Sequence, residues 1–549
     1  MICAIYYGVL RSDLFFVLDY SIISDEPAPK RIKLPTTVLG DQTALDTKGE
    51  FVNVGQKTLA GFSAVESLLF VRSETVELWN ALNDTGDKNL SVDGPPGTGK
   101  STEAWAWALW KAKKDNVTVT WYHLTKKDVV KVLIDGSSGL MTTGYDAELT
   151  DIKTSQGSIL IVDGVTANDS VGINRSCCNW RRLEGNRRFI LVSSVSVPVA
   201  LQEVEEAKIV NFTVTSWSFK QYQDACANEE FFGQVLNNLR CPGLELVDDR
   251  GQLLLSKYYF AGGCARWIFE FDHSRWQIDF STHLQKVTNY ALLFGGGGGD
   301  ETNVAVNHLR GVTVVVTSGI KEKKYFFISQ FAAGELAKKC DDKRKFLIDS
   351  YKKAKDTENP AFEGWIFEFD VDYQLEQAHQ QQLKFCSEIR PWTPDGTPRK
   401  EERSVDMYIV FDSVDGLSTA INSLGTDKVL WTKPKLWCQK AFDFLCFWKM
   451  SDASTDGLNM VVVNATLAKT HLVLLGEVHK LACDLGKQGC VVSAIRFEFM
   501  VPKDAEFTFG DIDGRLCGWN NLRGKQWPNA PTSDSYADCL AVEEISRTS

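Results

Sequence analysis

The run Asp93-Gly94-Pro95-Pro96-Gly97-Thr98-Gly99-Lys100-Ser101-Thr102 has the residue types and spacing to hold phosphate. It meets G-x-x-x-x-G-K-[ST] at every fixed position. Glycines let the backbone curl until successive N–H groups converge on an anion. A helix N-terminus adds partial positive charge at the same place. Gly94, Pro95, Pro96, Gly97, Thr98, Gly99, Lys100, Ser101 and Thr102 are therefore the candidate nucleotide-binding residues. Lys100 can reach the β/γ-phosphates, and the Ser101 hydroxyl can ligate Mg2+. The expected ligand is a nucleoside triphosphate, taken as ATP.

Such a loop needs a strand before it and a helix after it, and the flanks read that way over residues 89–92 and 103–111. Further strands are expected at 117–122, 158–163, 189–195 and 209–214. With the helical stretches between them, these strands predict an α/β domain on a parallel sheet from about residue 51 to 269. Asp163 ends the apolar run 158–162, the pattern that delivers a carboxylate beside the phosphate loop to hold Mg2+ through water. Gly164 stands next, where AAA-type ATPases carry a glutamate that activates water. Turnover is then expected to be slow, or its base to come from elsewhere. Ser193 or Ser194 reads either as a γ-phosphate sensor or as an ordinary strand-end serine. Gly262-Gly263 opens a helix carrying Arg266, which resembles the second sensor of AAA/STAND-type ATPases; a surface arginine after a helix-start turn is the other reading.

A chain of 549 residues is too long for one core, so two or three domains are expected. The net charge of −11 excludes a global basic field, though not a local groove for nucleic acid. The 14 cysteines include no C-x-x-C pair, as expected of reduced thiols working inside a cell. No apolar run is long enough to span a membrane, so no membrane insertion is expected. The first ten residues lack the basic start and cleavage site of a signal peptide. Short strands are expected at 3–7 and 14–18. Between them and the loop, Pro27-Ala28-Pro29-Lys30-Arg31-Ile32-Lys33-Leu34-Pro35 has the spacing of a nuclear import signal held extended by prolines, or is a solvated basic linker. The five glycines at 295–299 read as a flexible loop, not a second phosphate site. A strand at 312–316 and a helix at 329–339 close this part.

The character changes near residue 345. A charged helix at 343–356 precedes an aromatic, acid-bearing stretch at 359–369. Residues 431–446 lead into a strand, and a neighbouring strand at 460–466 ends in polar residues. An acid from a helix, an Asp at a strand start and a polar-x-polar pair on the next strand are the layout of a PD-(D/E)xK nuclease core. Carboxylates there hold Mg2+ beside a scissile phosphate.

Taken together, these segments resemble the Crinkler effectors of oomycetes and some fungi and, more distantly, retrotransposon hot spot proteins. The resemblance rests on Gly94 to Ser101, Val214-Thr215-Ser216-Trp217-Ser218, Ala261-Gly262-Gly263-Cys264-Ala265-Arg266 and Gly364-Trp365-Ile366-Phe367-Glu368. Pro434-Lys435-Leu436-Trp437 and the run from Val463 to His471 add to it. It covers the chain from about residue 61 to near the C-terminus. It implies a P-loop NTPase (AAA/STAND-like) joined to an α/β restriction-endonuclease-like domain. The division would be 1–50 for the N-terminal segment, 51–340 for the NTPase part and 341–549 for the nuclease-like part.

By position the resemblance makes Asp443 the metal-binding aspartate and Glu368 the helix acid. Asn464 stands where Gln or Glu is preferred, and Thr466 where Lys or Thr is found. Lys100, Asp163, Arg266, Glu368, Asp443, Asn464 and Thr466 are the implied catalytic set, with Ser101, Asp163, Asp443 and Glu368 as Mg2+ ligands. The implied protein is secreted, enters a host cell and acts in its nucleus. Its partners would be host DNA, a host nuclear import receptor and further copies of itself as a homo-oligomer. The family usually begins with a ubiquitin-like header carrying a Leu-Phe-Leu-Ala-Lys-like motif, and that motif does not occur in the sequence. The alternative is a nucleotide-switched interaction protein with a degenerate nuclease-like domain; a third reading is an inactive mobile-element relic.

Overall fold

The computed structural model describes residues 30–33, 48–54, 60, 62, 68–84, 88–125, 128–144, 147–166, 169–193, 208–242, 244, 249–287, 293, 301–318, 320–340, 342–357, 359–391, 399–435, 442–449, 458–465, 475–502 and 540–545. The strands expected at 3–7 and 14–18, the glycine run 295–299, Ser194 and Thr466 lie outside them. The chain is mixed α/β, built on two large sheets.

In chain order the first strands are β1 Lys30–Lys33, β2 Phe51–Asn53, β3 Leu68–Phe70, β4 Asn89–Asp93, β5 Thr118–Leu124, β6 Val129–Asp135, β7 Leu140–Gly144, β8 Ile159–Val165, β9 Arg188–Ser193 and β10 Ile209–Thr213. β2 and β3 form a small pair of their own, and the other eight make one sheet in the order β1-β7-β6-β5-β8-β9-β4-β10. The expected parallel sheet holds from β5 to β10. It fails beyond β5, where β6, β7 and β1 add on antiparallel.

The reason for that departure is local. Val129–Asp135 alternates buried with half-buried positions, and Asp135 Oδ1 accepts from the Ser137 amide at 3.0 Å in a four-residue turn that ends on Gly139. That is a hairpin signal in the sequence. The basic segment Lys30–Lys33 is then not a free extended peptide, because its backbone pairs with β7.

Helix Lys100–Asp115 starts directly after the glycine-rich loop and stops at Asn116, which adopts a left-handed conformation. It is buried on nearly all sides, with Trp105, Trp107 and Trp110 packed among Leu90, Val92, Trp121 and Ile161 of the sheet. A helix sealed in this way holds its N-terminus rigidly beneath the strand ends.

The later strands are β11 Arg310–Thr317, β12 Ile320–Phe327, β13 Lys384–Pro391, β14 Arg399–Ser404, β15 Met407–Phe411, β16 Val429–Pro434, β17 Phe444–Lys449, β18 Leu458–Ala465, β19 Val492–Pro502 and β20 Leu540–Ile545. β11 and β12 form a hairpin, and the rest make the second sheet, β14-β13-β20-β19-β18-β17-β16-β15. Its central strands are buried on both faces. In β17, Phe444 and Cys446 face helix Pro360–Gln380, while Leu445 and Phe447 face helices Val414–Ser423 and Leu475–Lys487. This three-layer packing follows from side chains alternating with period two.

Helix Pro360–Gln380 belongs to two cores. Asn359 caps it, its Oδ1 accepting the Phe362 amide at 3.3 Å, and Pro360 occupies the first turn, where a missing N–H costs nothing. Phe362 and Ile366 pack into the helical core with Phe327, Phe346 and Leu347. Phe367, Val371 and Leu375 pack against the second sheet. The expected division at 341 thus falls among helices that share a core, and Glu368 sits at the crossover.

Candidate functional site

The glycine-rich loop is held from both sides before any ligand arrives. The Thr98 carbonyl accepts from Arg72 Nη2 at 3.1 Å and from Trp217 Nε1 at 3.0 Å, and the Arg72 guanidinium lies 4.7 Å from the Trp217 ring centroid. Arg72 also pairs with Glu103 at 3.1 Å, both fully buried. Gly97 has φ +75, and a Cβ there would lie 2.5 Å from Cys264 Sγ, so only glycine fits. The Gly97 carbonyl accepts the Arg266 amide at 3.2 Å. The turn carrying Arg266 therefore lies directly against the loop, with the Arg266 side chain half exposed and 3.7 Å from Glu270.

Lys100 is buried and folds back, donating to the carbonyls of Gly94 at 2.9 Å and Pro95 at 2.7 Å. Burial lowers its pKa to about 8, with the Asp163 charge opposing the shift. Ser101 Oγ donates to Asp163 Oδ1 at 2.8 Å. The other carboxylate oxygen lies 2.7 Å from His123 Nδ1. The parallel register of β5 and β8 sets His123 directly beside Asp163.

β9 runs between β4 and β8 and ends at Ser193, which is buried and faces the same cavity. That cavity, about 550 Å³, is lined at its floor by Lys100, Ser101, His123, Asp163, Ser193 and Arg266. Its volume suits a small-molecule ligand. Phe62, Phe70, Trp217, Phe231, Phe269 and Phe271 contribute an aromatic wall.

Gly164 explains the missing glutamate. Its φ is +82, and a Cβ would stand 2.4 Å from the Leu124 carbonyl oxygen. β8 bulges at this point, between Asp163 and Val165. No side chain fits there without moving β5.

The second set of residues gathers on the face of the second sheet covered by helix Pro360–Gln380. Asp443 enters β17 with its amide donating to Val463 O at 2.9 Å and its Oδ2 accepting the Ala465 amide at 2.8 Å. Burial, then the nearby Glu368 charge, pushes its pKa up to about 8. Glu368 Oε2 accepts from Gln330 Nε2 at 2.7 Å.

The third member is Lys433 on β16. Its Nζ lies 3.3 Å from Glu368 and 3.4 Å from Asp372. Glu368 and Asp372 are one helical turn apart, and Trp431, two residues before Lys433 on its strand, faces the same helix. Asn464 does not join them. Val461 and Val463 face that helix while Met460 and Val462 face away, so period-two alternation puts Asn464 on the far side.

The structure thus brings Lys100, Ser101, Asp163 and Arg266 to one cavity and sets Glu368 near Asp443, with Asn464 on the opposite face of the second sheet. His123, Arg72 and Lys433 were not among the residues expected from the sequence. A lysine two residues after Trp431, at the end of the apolar start Val429-Leu430-Trp431, was the available signal for Lys433. Nothing local marks the other two. No family model matches the chain, and no curated protein matches it.

Proposed function

We propose that the chain is a Mg2+-dependent nucleoside triphosphatase whose nucleotide state governs a second, phosphodiester-directed site. The observation that carries the nucleotide reading is the Ser101–Asp163 contact of 2.8 Å at the foot of a glycine-rich loop that opens a buried helix. A hydroxyl and a nearly inaccessible carboxylate at that spot suit a hard cation. Ser101 and Asp163 would hold Mg2+, which when bound neutralises charge on the β- and γ-phosphates. The loop amides and Lys100 would bind the phosphates, and Arg266 would stabilise charge developing on them. With no side chain accommodated at Gly164, His123 is the group beside Asp163 that can take a proton from the attacking water. Asp163 would hold its ring in place. The aromatic wall would receive the base by stacking.

Glu368 and Asp443 would hold the divalent cation of the second site, and Lys433 would place a positive charge beside the scissile phosphate. Backbone and side-chain contacts run between the two sites: Gly97 O to the Arg266 amide, the Gly263 amide to Ile328 O at 3.1 Å, and Gln330 Nε2 to Glu368. On this reading nucleotide binding repositions Glu368 through that turn. In keeping with the Crinkler resemblance, the substrate would be host DNA, reached by a secreted protein in the nucleus. The Lys30–Lys33 strand would then have to leave β7 to meet an import receptor.

Plasmid cleavage with Mg2+, with and without ATP, tests this for wild type, Asp443→Ala and Lys100→Ala. Cleavage abolished in Asp443→Ala and altered in Lys100→Ala supports it. ATP binding without cleavage under any condition overturns the nuclease half. It would leave a nucleotide-switched binding protein, a reading favoured by the Lys433 ion pairs and by Asn464, buried on the opposite face of the sheet.

A further inference from the structure

Behind the turn that bears Arg266 lies a cluster used by neither site. Asp279 and His283 stand one turn apart on helix His273–Lys286, and His308 lies in the last turn of helix Glu301–Leu309. One ligand atom from each falls within 4.8 Å of the others. The imidazoles of His283 and His308 are stacked, with centroids 3.7 Å apart and planes 9° from parallel. His283 Nε2 faces Asp279 Oδ1 at 3.7 Å, beyond hydrogen-bond length, and its buried Nδ1 has no hydrogen-bond partner among the described residues. An imidazole nitrogen shut away from water without a partner is costly unless something else binds it. Asp279 is oriented from behind, its Oδ2 accepting Trp267 Nε1 at 2.8 Å. An N–H held on the far oxygen of a ligating carboxylate is a common support for a metal ligand.

We propose that Asp279, His283 and His308 bind a divalent first-row transition metal, with zinc as the reference ion. Two imidazoles and one carboxylate suit that class and disfavour Mg2+ or Ca2+, which take oxygen ligands. A tetrahedral ion with bonds of about 2.0–2.2 Å sets its ligands roughly 3.4 Å apart. Asp279 and His283 are already near that spacing, and a swing of the His308 ring out of the stack brings the third nitrogen in. The fourth position would be water. The ion would pin the two helices together and, through Trp267, steady the turn that places Arg266 against the loop.

The test uses full-length protein stripped of metal with a chelator, titrated with Co2+ and then Zn2+ in the absence of nucleotide. One equivalent of Co2+ with visible ligand-field bands is expected, displaced by Zn2+ and untouched by excess Mg2+. Asp279→Asn, which keeps an acceptor for Trp267, and His308→Gln should each weaken binding by about 100-fold or more. Their circular dichroism should match wild type. An unchanged affinity in a folded variant overturns the proposal, as does an intense near-ultraviolet thiolate band or no tight binding by wild type. The cluster would then be a stacked imidazole pair beside a carboxylate. Should one variant fail to fold, the other decides, together with the rise in wild-type melting temperature that Zn2+ must produce. Because no nucleotide is present, failure here leaves the nucleotide reading intact.

Discussion

Ser101 Oγ donates to Asp163 Oδ1 across 2.8 Å, joining a hydroxyl and a carboxylate 62 residues apart in the chain. Two elements meet there, the first turn of a helix and the bulged end of a strand. Asp163 also contacts His123, so side chains from two other elements converge on one carboxylate.

Lys100→Ala should abolish nucleotide binding while leaving the fold intact, because among the described residues its amine hydrogen-bonds two loop carbonyls and no core element. Wild type should gain about 2.7 kcal/mol of stability at a nucleotide concentration 100 times Kd. The variant should gain none, and a thermal melt with and without Mg-ATP reads the difference. An equal shift in both proteins would rule out the loop as the site.

Affinity for nucleotide should fall as pH rises through about 8, where burial has placed the Lys100 amine. The unfolded chain keeps its lysine proton up to the ordinary value of 10.5, so the unliganded fold gains stability across that window. The polyanion, by contrast, loses its charged partner, by about tenfold per pH unit well above 8. Titration with a fluorescent nucleotide from pH 7 to pH 9.5 measures it (~2 pH units on this scale suffice). Lys100→Arg should flatten the profile.

Restoring the glutamate by Gly164→Glu should destabilise the fold by roughly 1–3 kcal/mol and give no faster turnover, since the backbone at φ +82 abuts Leu124 O. His123→Gln should instead lower hydrolysis by about 100-fold or more with nucleotide affinity little changed. Urea denaturation and phosphate release separate the two effects. A His123→Gln protein with wild-type turnover would remove His123 from the mechanism.

Asp443→Asn should stabilise the metal-free protein at neutral pH. Between the ordinary carboxyl value of 3.8 and about 8, the unfolded chain has released a proton that the folded chain retains, so wild-type stability falls as pH climbs. The variant lacks this loss and should melt a few degrees higher, by a rough estimate, in chelator at pH 7.5, with a smaller gap at pH 5. Any Mg2+-dependent nicking by wild type should strengthen toward pH 8, as the cation no longer competes with the proton.

Arg72→Met leaves Glu103 buried without its cation and should cost about 3–5 kcal/mol by urea denaturation. Arg72→Met with Glu103→Met should recover much of that. Nucleotide affinity should stay reduced in the double variant, because the Thr98 carbonyl has lost its guanidinium donor.

The sequence alone determined what is contiguous. The loop from Gly94 to Thr102, the helix after it and the strand before it are neighbours in the chain, and glycine spacing there reports backbone geometry directly. The acid ending an apolar run exposed Asp163 in the same way, and the Gly262-Gly263 turn exposed Arg266. Glu368 and Asp443 were named only through the family resemblance and not by any local signal. Only the tertiary structure decided which partners these residues have. Hydrophobic alternation says that a position is covered but not what covers it. So His123 beside Asp163, Arg72 beneath Thr98 and Lys433 beside Glu368 all waited on strand register and helix packing. The antiparallel turn at Asp135 was legible in principle, and it changed what Lys30–Lys33 is, from a free basic peptide to a paired edge strand. The cluster of Asp279, His283 and His308 lay beyond the sequence, because two of its helices had to pack before its third ligand had an address.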